Sequence, residues 1–351
     1  MTASHTRCSL VPPYILQALA RHGDEAVREA AIATLGYDKT FAVSRVLGDT
    51  ARRPATPRAA AAAPRLDRQV HDAQHEEALP GVLVRAEGAP AVADVAVDEA
   101  YDGLGATWHL YEDVYGRNSI DDAGLGLSGS VHFGQRYGNA YWDGEQMVFG
   151  DGDGVLVNRF TVAVDVIGHE LTHGVTGATD DLAYQGQSGA LNESISDVFG
   201  SLVKQHSLGQ SEAEADWLIG EGLLAADVHG VALRSMKAPG TAYDDPQLGG
   251  RDPQPGTMAG YVTTTSDNGG VHTNSGIPNH AFQLAAVALG GNAWEEAGHV
   301  WYATLTGGDV PRTATFAQFA RRTATTARTL YGASAHDAVA DAWLQVGVAA
   351  R

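Results

Sequence analysis

Apolar and polar positions alternate with two different periods along this chain, and the change of period divides it. Between residues 79 and 149, short apolar runs separated by Gly and Asp-Gly turns predict strands at 130–133, 139–142 and 146–149, with Asp143-Gly144 the clearest hairpin signal. Apolar residues at helical spacing predict one helix from Asp94 to Tyr115. Helical spacing prevails after residue 155. We therefore expect an α+β fold, with strands mainly in the first half and helices in the second.

The first 78 residues differ from the rest. Residues 1–50 predict a small helical module, in which Pro12-Pro13 can open a helix that ends at Gly23 and Asp24 can cap a second one that ends at Gly36. Two short helices with few large apolar residues are marginal alone, so we expect them to dock on another part of the protein. In residues 51–78, the Ala, Pro and Arg of the first fifteen positions predict an exposed linker, which is either open to proteolysis or an ordinary tether.

Glycine-rich and capping patterns divide the C-terminal half. Residues 267–276 contain three glycines, which predicts an irregular loop of the kind that often carries function. Helices are predicted at 277–289, 294–305, 316–330 and 337–346. Capping-box patterns at Thr315/Gln318 and Ser334/Asp337 mark the starts of the last two. We expect most of these helices to serve as a packing bundle.

Composition narrows the class of protein. With 351 residues, 44% of them hydrophobic and 19% charged, the chain can form two globular domains. Its formal charge of -19 argues against nucleic acid or an anionic membrane as the main partner. The single cysteine, Cys8, rules out an internal disulfide. Polar residues interrupt any apolar run near the N-terminus, and no later run is long enough to span a bilayer, so we expect no Sec signal and no membrane helix.

The segment from His169 to Asp197 carries the clearest chemistry. His169 and His173 stand four residues apart, so one helix face can direct both imidazoles to one zinc ion, with Glu170 beside it as a general base. A second predicted helix, 190–203, brings Glu193 as a third ligand and Asp197 as a carboxylate that could hold a ligand histidine by its other ring nitrogen. Three protein ligands leave a fourth position open, as in catalytic zinc sites. The alternative is a solvated helix face, because His-Glu-x-x-His alone arises by chance in roughly a few per cent of chains this long.

Several motifs in order resemble one family. They are Asn139-Ala-Tyr-Trp142, Gly150-Asp-Gly-Asp-Gly154, His169-Glu-Leu-Thr-His173, Asn192-Glu-x-x-Ser-Asp197, Leu233-Arg-Ser-Met236 and Asp267-Asn-Gly-Gly-Val-His-x-Asn-Ser-Gly276. From about residue 79 the chain resembles the thermolysin-like zinc metallopeptidases, and its front end resembles the protealysin-type precursors of that family. The resemblance implies a β-rich subdomain, 79–176, that ends in the zinc helix, an α-helical subdomain, 177–351, and an active cleft between them.

The resemblance also implies roles at the site. The zinc ligands would be His169, His173 and Glu193, and Glu170 would be general base and proton shuttle. Asp197 would orient His169. Hydrogen bonds to the oxyanion of the reacting peptide would come from Tyr184 and His272, with Asp267 orienting His272.

Substrate contacts follow in the same way. Asn139 and Ala140 would hold the substrate backbone as an added strand, a mode that gives affinity without reading side chains. Arg234 would contact the carbonyl on the far side of the scissile bond. Leu233 and the apolar wall around it would prefer a large hydrophobic residue just after the cut.

One position departs from the family pattern. Members with a double calcium site bind it through carboxylates at positions that match Asp165, Lys204, Asp216 and Glu221 of this chain. An ammonium among three carboxylates would repel calcium and can substitute for part of its charge. We therefore predict that Lys204 replaces calcium, with zinc the single catalytic metal.

The segment Cys8-Ser-Leu-Val-Pro-Pro-Tyr14 resembles the inhibitory motif of protealysin-type precursors, whose short propeptide covers the active cleft. Pro12, Pro13 and Tyr14 carry the match. The alternative is a surface polyproline II motif that binds another protein. Cys8 could supply a thiolate to the open fourth position of the zinc, or it could be a small buried apolar residue.

Together these features predict a zinc-dependent neutral metalloendopeptidase that cuts on the N-terminal side of large hydrophobic residues. It would be a monomer, made as a precursor that its own propeptide inhibits, and matured by cleavage in or near residues 50–75. The alternative is a catalytically silent zinc protein that binds peptides or regulates a partner and retains residues 1–50. The expected lack of a Sec signal fits cytoplasmic retention or a non-classical exit, and the resemblance favours export.

Overall fold

Two helices at the N-terminus form a hairpin that packs on the rest of the chain. The computed structural model describes residues 9–48, 63–179 and 182–350, in which α1 spans Pro13–His22 and α2 spans Glu25–Gly48. α1 ends before Gly23 as predicted, and Asp24 accepts a hydrogen bond from the Val27 N–H at 3.0 Å. The predicted end of the second helix at Gly36 is wrong, because a glycine inside a helix costs only about 1 kcal/mol and α2 continues through it.

A five-stranded mixed sheet forms the core of the first half. It consists of β1 (Arg68–Asp72), β2 (Val82–Ala86), β3 (Leu127–Val131), β4 (Ala140–Trp142) and β5 (Met147–Phe149), in the spatial order β2-β1-β3-β5-β4. β1 pairs in parallel with β3, and β3 pairs in parallel with β5. The antiparallel β4–β5 hairpin turns at Asp143-Gly144, which confirms the prediction made there.

The predicted linker 51–78 is wrong in its last part. β1 lies within it and pairs on both sides, with β2 and with β3. Its sequence, Arg-Gln-Val-His-Asp, has one large apolar residue, Val70, so the strand depends on backbone pairing with distant segments rather than on a local pattern. Residues 51–62 lie outside the described residues, and the prediction of an exposed linker there stays a prediction.

Helices dominate the remainder, as predicted. They are α3 (Val95–His109), α4 (Val164–Gly177), α5 (Gly186–Leu208), α6 (Asp267–Asn274), α7 (Gly276–Leu289), α8 (Glu296–Thr306), α9 (Phe316–Tyr331) and α10 (Ala333–Gln345). Two short antiparallel pairs occur among the described residues between these helices: β6 (Leu218–Ile219) pairs with β7 (Arg234–Ser235), and β8 (Asp244–Asp245) pairs with β9 (Gly250–Arg251). Within the described residues, none of the helices has both the length and the apolar character needed to cross a bilayer.

Glycines bring α4 and α5 into close contact. A Cβ on Gly200 would lie 2.4 Å from the Asp165 carbonyl oxygen, and one on Gly168 would lie 2.9 Å from a Val203 methyl group. Only glycine allows this approach. The two helices therefore cross closely enough for side chains of both to meet in one site.

His132 links the start of α3 to the turn after β5. Its Nδ1 lies 2.9 Å from Asp151 and its Nε2 lies 3.1 Å from Asp94, the residue whose carboxylate caps α3. Both ring nitrogens can donate only when the ring is charged. The hydrogen bond and charge of Asp151, followed by those of Asp94, outweigh burial and raise the pKa of His132 from 6.5 to about 9.

We expect the stabilisation by His132 to be lost at alkaline pH. Because the folded-state pKa is raised, the contribution is fully present below pH 6.5 and decreases until the pH has passed about 9. His132→Asn, which tolerates the positive φ of 55° at this position, should therefore lower the melting temperature at pH 6 and have a much smaller effect at pH 10. His75→Asn is the matched control, since His75 also has positive φ but lies 3.5 Å from Asp151 and is half exposed. An equal destabilisation by His132→Asn at both pH values would contradict the charged bridge.

Candidate active site

Three metal-binding side chains meet where α4 crosses α5. The Nε2 atoms of His169 and His173 lie 3.1 Å apart, and each lies 3.6 Å from one carboxylate oxygen of Glu193. Among the described residues these three form the one group of His, Cys, Asp and Glu side chains compact enough to hold a metal ion. The predicted ligands are therefore in one place.

The Nδ1 atoms of both histidines, on the side of each ring away from the metal-binding centre, make hydrogen bonds to α5. His169 Nδ1–H donates to Asp197 at 2.8 Å, and His173 Nδ1–H donates to the side-chain oxygen of Asn192 at 2.8 Å, with Ser196 Oγ at 3.1 Å. Burial lowers the pKa of His173 to about 4, which keeps its ring neutral. With Nδ1 protonated, each Nε2 lone pair faces its counterpart and Glu193. Two imidazoles whose Nδ1 atoms are hydrogen-bonded in this way, together with a carboxylate, fit the ligand set of a zinc ion.

Asp197 is the centre of a buried polar network. Besides His169, it accepts hydrogen bonds from Arg234 at 2.8 and 2.9 Å and from the Asn279 amide at 2.8 Å. Burial alone would raise the pKa of Asp197, but Arg234 and His169 hold that pKa well below its usual range. Asp197 thus stays ionised and fixes both a metal-binding histidine and Arg234.

Glu170 lies against the end of β4. One carboxylate oxygen accepts the Trp142 N–H at 3.1 Å, and the other, Oε1, is buried without a hydrogen-bond partner among the described residues. Burial, followed by the charge of Glu193, raises the pKa of Glu170 well above its usual range. A buried carboxylate oxygen with no protein partner beside three metal-binding side chains is suited to exchanging a proton with a small reactant.

Tyr184 and His272 lie on the other side of Glu193. The Tyr184 hydroxyl hydrogen-bonds Glu193 and lies 3.3 Å from His272 Nε2, which lies 3.5 Å from a Glu193 oxygen. His272 Nδ1–H donates to Asp267 at 2.7 Å. Burial favours the neutral ring, but the charges of Asp267 and Glu193 outweigh it and raise the pKa of His272 to about 9.

The irregular backbone predicted at 267–276 is confirmed in its first four residues. Asp267, Asn268, Gly269 and Gly270 have positive φ angles of 50°, 49°, 86° and 75°, so the first half of α6 is not regular helix. This left-handed run lets Asp267 reach back to the backbone N–H of His272 at 3.0 Å as well as to its ring. The glycines were correctly interpreted as irregular backbone, but they lead into a helical turn that directs His272 to the site.

Residues 10 and 11 lie in the cleft and hydrogen-bond to residues 139 and 140 at the start of β4. Leu10 N–H donates to the Ala140 carbonyl at 3.3 Å, and Val11 N–H donates to the Asn139 side chain at 2.9 Å, while Asn139 Nδ2 lies 3.4 Å from the Val11 carbonyl. Arg234 donates to the Leu10 carbonyl at 3.2 Å. Three residues predicted to hold substrate backbone therefore hold the N-terminal segment.

The remaining predicted residues are buried or lie at the start of α1. Leu233 is buried in the hydrophobic core, directly before Arg234. Pro12 precedes α1 and Pro13 opens it. Tyr14 lies beside Tyr243 and Asp252, and burial raises its pKa well above the usual range. Cys8 lies outside the described residues, so its role as a zinc ligand stays a prediction.

Lys204 lies among the three predicted carboxylates. Its Nζ is 2.6 Å from Asp216, 2.9 Å from Glu221 and 3.8 Å from Asp165. Burial raises the pKa of Asp165 to about 6, and the charge of Lys204 opposes that shift. Asp165 lies in the first turn of α4 and accepts the Gly220 N–H at 3.1 Å, so the cluster ties the metal-binding helix to the segment after β6.

Sequence reasoning missed four supports of the site. They are Asn192 and Ser196 behind His173, Asn279 on Asp197, and the backbone N–H of Trp142 on Glu170. The spacing of Asn192 and Ser196, one residue before Glu193 and Asp197, could have indicated the first two, because residues four apart share a helix face. No local signal marks Asn279, which comes from α7.

Comparison with known proteins gives consistent matches. The family model "Thermolysin metallopeptidase, catalytic domain" matches residues 65–177, and "Thermolysin metallopeptidase, alpha-helical domain" matches residues 180–348. An "Extracellular metalloprotease" of Pectobacterium carotovorum subsp. carotovorum is 52% identical over 98% of this chain and 97% of its own length. "Protease PrtS" of Photorhabdus sp. (strain Az29) is 50% identical over 97% of this chain and 91% of its own. The solved structure of a precursor of protealysin from Serratia proteamaculans superposes with a TM-score of 0.89, at 51% identity, and covers 97% of this chain and all of that one.

Proposed function

Since this chain belongs to the thermolysin family of metallopeptidases, we propose that it cleaves peptide bonds on the N-terminal side of large hydrophobic residues, and that residues 1–50 block its cleft until proteolysis removes them. Membership gives the class: the chain is a zinc metalloendopeptidase with an N-terminal propeptide and the two-domain fold of the family. The roles of individual residues and the cleavage preference do not follow from membership alone and are part of the proposal.

One observation carries the proposal. Leu10 and Val11 occupy the backbone-binding groups of Asn139, Ala140 and Arg234, which lie next to Glu170 and the metal-binding side chains. A substrate cannot use these groups while the N-terminal segment does. Leu10, whose N–H and carbonyl bind Ala140 and Arg234, is itself a large and fully buried hydrophobic residue, which supports a preference for such residues just after the scissile bond.

The chemistry is divided among the chain's own residues. Zinc, when bound by His169, His173 and Glu193, supplies a Lewis acid that polarises the peptide carbonyl and lowers the pKa of water. Glu170 would take a proton from the attacking water through Oε1, which has no hydrogen-bond partner among the described residues, and deliver it to the leaving amine. Tyr184 and His272 would donate to the developing oxyanion.

The name of one relative favours action outside the cell, because the Pectobacterium protein is called an extracellular metalloprotease. We propose extracellular action for this chain also. The non-classical export route remains a proposal from the sequence, as does the monomeric state.

A time course of the purified precursor tests the proposal. With a peptide that contains one large hydrophobic residue, hydrolysis should begin as the N-terminal segment is lost, and mass spectrometry should place the cut before that residue and the processing site near residues 50–75. A zinc chelator should stop both events, since both need the metal. An intact Met1 together with no hydrolysis would favour the silent zinc protein, and hydrolysis that resists the chelator would contradict the mechanism.

We predict that calcium does not stabilise this protein at the Lys204 cluster. Lys204→Glu should lower the melting temperature of the zinc-loaded protein, because four acidic groups would then repel, and added calcium should restore part of the loss. Lys237→Glu changes the charge equally at an exposed position and serves as the control. A calcium-dependent rise in the melting temperature of the unmodified protein would overturn the prediction.

A further inference from the structure

Helix α2 covers three consecutive residues at the edge of the cleft. Tyr137 Oη–H donates to Asp38 Oδ1 at 2.8 Å, the Gly138 N–H donates to Thr34 Oγ1 at 2.9 Å, and Asn139 Nδ2 lies 3.2 Å from Asp38 Oδ2. Tyr137, Gly138 and Asn139 are all buried in this arrangement. Two of these donors thus point at the Asp38 carboxylate and the third points at the Thr34 hydroxyl, and side chains of α2 supply all three acceptors.

The acceptor in the centre is a carboxylate. Asp38 makes its hydrogen bonds to two neutral donors, and none of the ion pairs of the described residues includes it. Burial raises the pKa of Asp38 to about 6, against the smaller effects of Tyr137 and Asn139. The charge of Asp38 also contributes, as a minor cause, to the raised pKa of Glu170 on α4. Among the described residues, neutral donors rather than a cation hold this carboxylate in place.

We propose that Tyr137 and Asn139, with the Gly138 N–H between them in the chain, form a carboxylate-binding subsite of the mature peptidase, which Asp38 and Thr34 occupy in the precursor. The inference rests on the proposed function, because α2 must leave before a substrate can enter. Its departure removes the acceptors of all three donors at once. Donors that have lost their acceptors favour a ligand that restores the hydrogen bonds. A carboxylate suits them, because hydrogen bonds to an ionised acceptor are about twice as strong as bonds between neutral groups.

The position of the subsite along a substrate follows from Asn139. The same Nδ2 atom lies 3.4 Å from the Val11 carbonyl and 3.2 Å from Asp38. If Leu10 occupies the position of the first substrate residue after the scissile bond, Val11 occupies that of the second. The Asp38 carboxylate then lies beside the backbone of this second residue. Two sources offer this chemistry: an acidic side chain at the second or third residue after the cut, or the free C-terminal carboxylate of a substrate that ends at the second.

Matched peptides test the subsite in the mature, zinc-loaded enzyme. One pair carries Asp or Asn at the second residue after the cut, another pair carries them at the third, and a third pair ends at the second residue as a free acid or an amide. At least one acid should have a kcat/KM about tenfold above its neutral partner. The pair that shows the difference identifies the source of the carboxylate.

Variants of the enzyme distinguish the subsite from the overall charge of the cleft. Tyr137→Phe removes one donor hydroxyl and keeps the ring, so the acid-to-neutral ratio should fall several-fold toward one. Tyr141→Phe alters a neighbouring ring of the same aromatic cluster, 6.1 Å away, and should leave the ratio unchanged.

Equal kcat/KM values within all three pairs, or a ratio that Tyr137→Phe does not lower, would overturn the inference while the proposed function stands. Failure of the enzyme to cleave any of the six peptides would contradict the proposed function and the subsite together.

Discussion

Glu170→Gln should abolish peptide hydrolysis without releasing zinc. The substitution keeps the size of the side chain but removes the carboxylate that would accept and return a proton, and general acid-base catalysis contributes about a hundred- to ten-thousandfold to rates. Because Glu170 hydrogen-bonds Trp142 N–H and is not one of the three clustered metal-binding side chains, the metal site should persist. Steady-state hydrolysis and metal analysis of the same preparation measure both effects.

Two controls define what the Glu170 result means. His173→Ala should lose zinc and activity together, because it removes a metal-binding atom. Glu295→Gln, at an exposed position, should change neither. Full activity in Glu170→Gln would require another base and would contradict the mechanism proposed above. Loss of zinc from Glu170→Gln would instead assign this carboxylate a role in holding the metal.

Asp197→Asn should cause the largest loss of stability among single substitutions at the site. The change leaves the Arg234 guanidinium as a buried charge without its counter-ion, which costs about 3–5 kcal/mol when one partner of a buried pair is removed. It also weakens the support of His169, for which a loss of about ten- to a hundredfold in zinc affinity is typical. Denaturant unfolding of the zinc-free protein and zinc titration of the folded protein measure the two effects separately.

Arg234→Met in the Asp197→Asn background should restore part of the lost stability, since it removes the uncompensated charge while keeping much of the side-chain volume. Asp309→Asn is the control, because Asp309 pairs with Arg322 at 3.7 Å on the surface and such pairs contribute about 0–1 kcal/mol. A loss below about 1 kcal/mol for Asp197→Asn would mean that Arg234 finds another partner or water, and the proposed network would be wrong.

The distance along the chain between contacting residues explains which structural predictions succeeded. Thr315 and Gln318 form the predicted capping box at the start of α9, because every atom involved lies within four residues. The similar pattern at Ser334 and Asp337 marks no helix start, since α10 already begins at Ala333, directly after Gly332. A capping pattern indicates that a helix can begin, and the packing of neighbouring helices decides where it does.

Strand β1 shows the limit for the sheet. Its partners are residues 82–86 and 127–131, so the pairing that makes it a strand depends on segments up to about sixty residues away. The five residues themselves alternate poorly and carry three charged or ionisable side chains. Periodicity therefore found the β4–β5 hairpin, whose turn is local, and missed the strand near the centre of the sheet.

The sequence alone was sufficient for the metal site, because its geometry is mostly local. The spacing of His169 and His173 on α4, and of Glu193 and Asp197 on α5, follows from the helical repeat once each helix forms. The identity of these groups also predicts their chemistry, since imidazole and carboxylate are the ligands that suit zinc. Glycines at the helix crossing then need only to bring the two faces together.

Only the tertiary structure decided how the N-terminal segment meets the cleft. Leu10 contacts Arg234 across 224 positions, and Asp38 contacts Tyr137 across 99. Neither pairing leaves a periodic or spacing signal, because a hydrogen bond between distant segments depends on where the folded backbone carries them. The sequence predicted that residues 1–50 would dock. Their backbone pairing with Asn139 and Ala140, and the carboxylate of α2 over Tyr137, followed from the three-dimensional packing of α1 and α2 on the cleft.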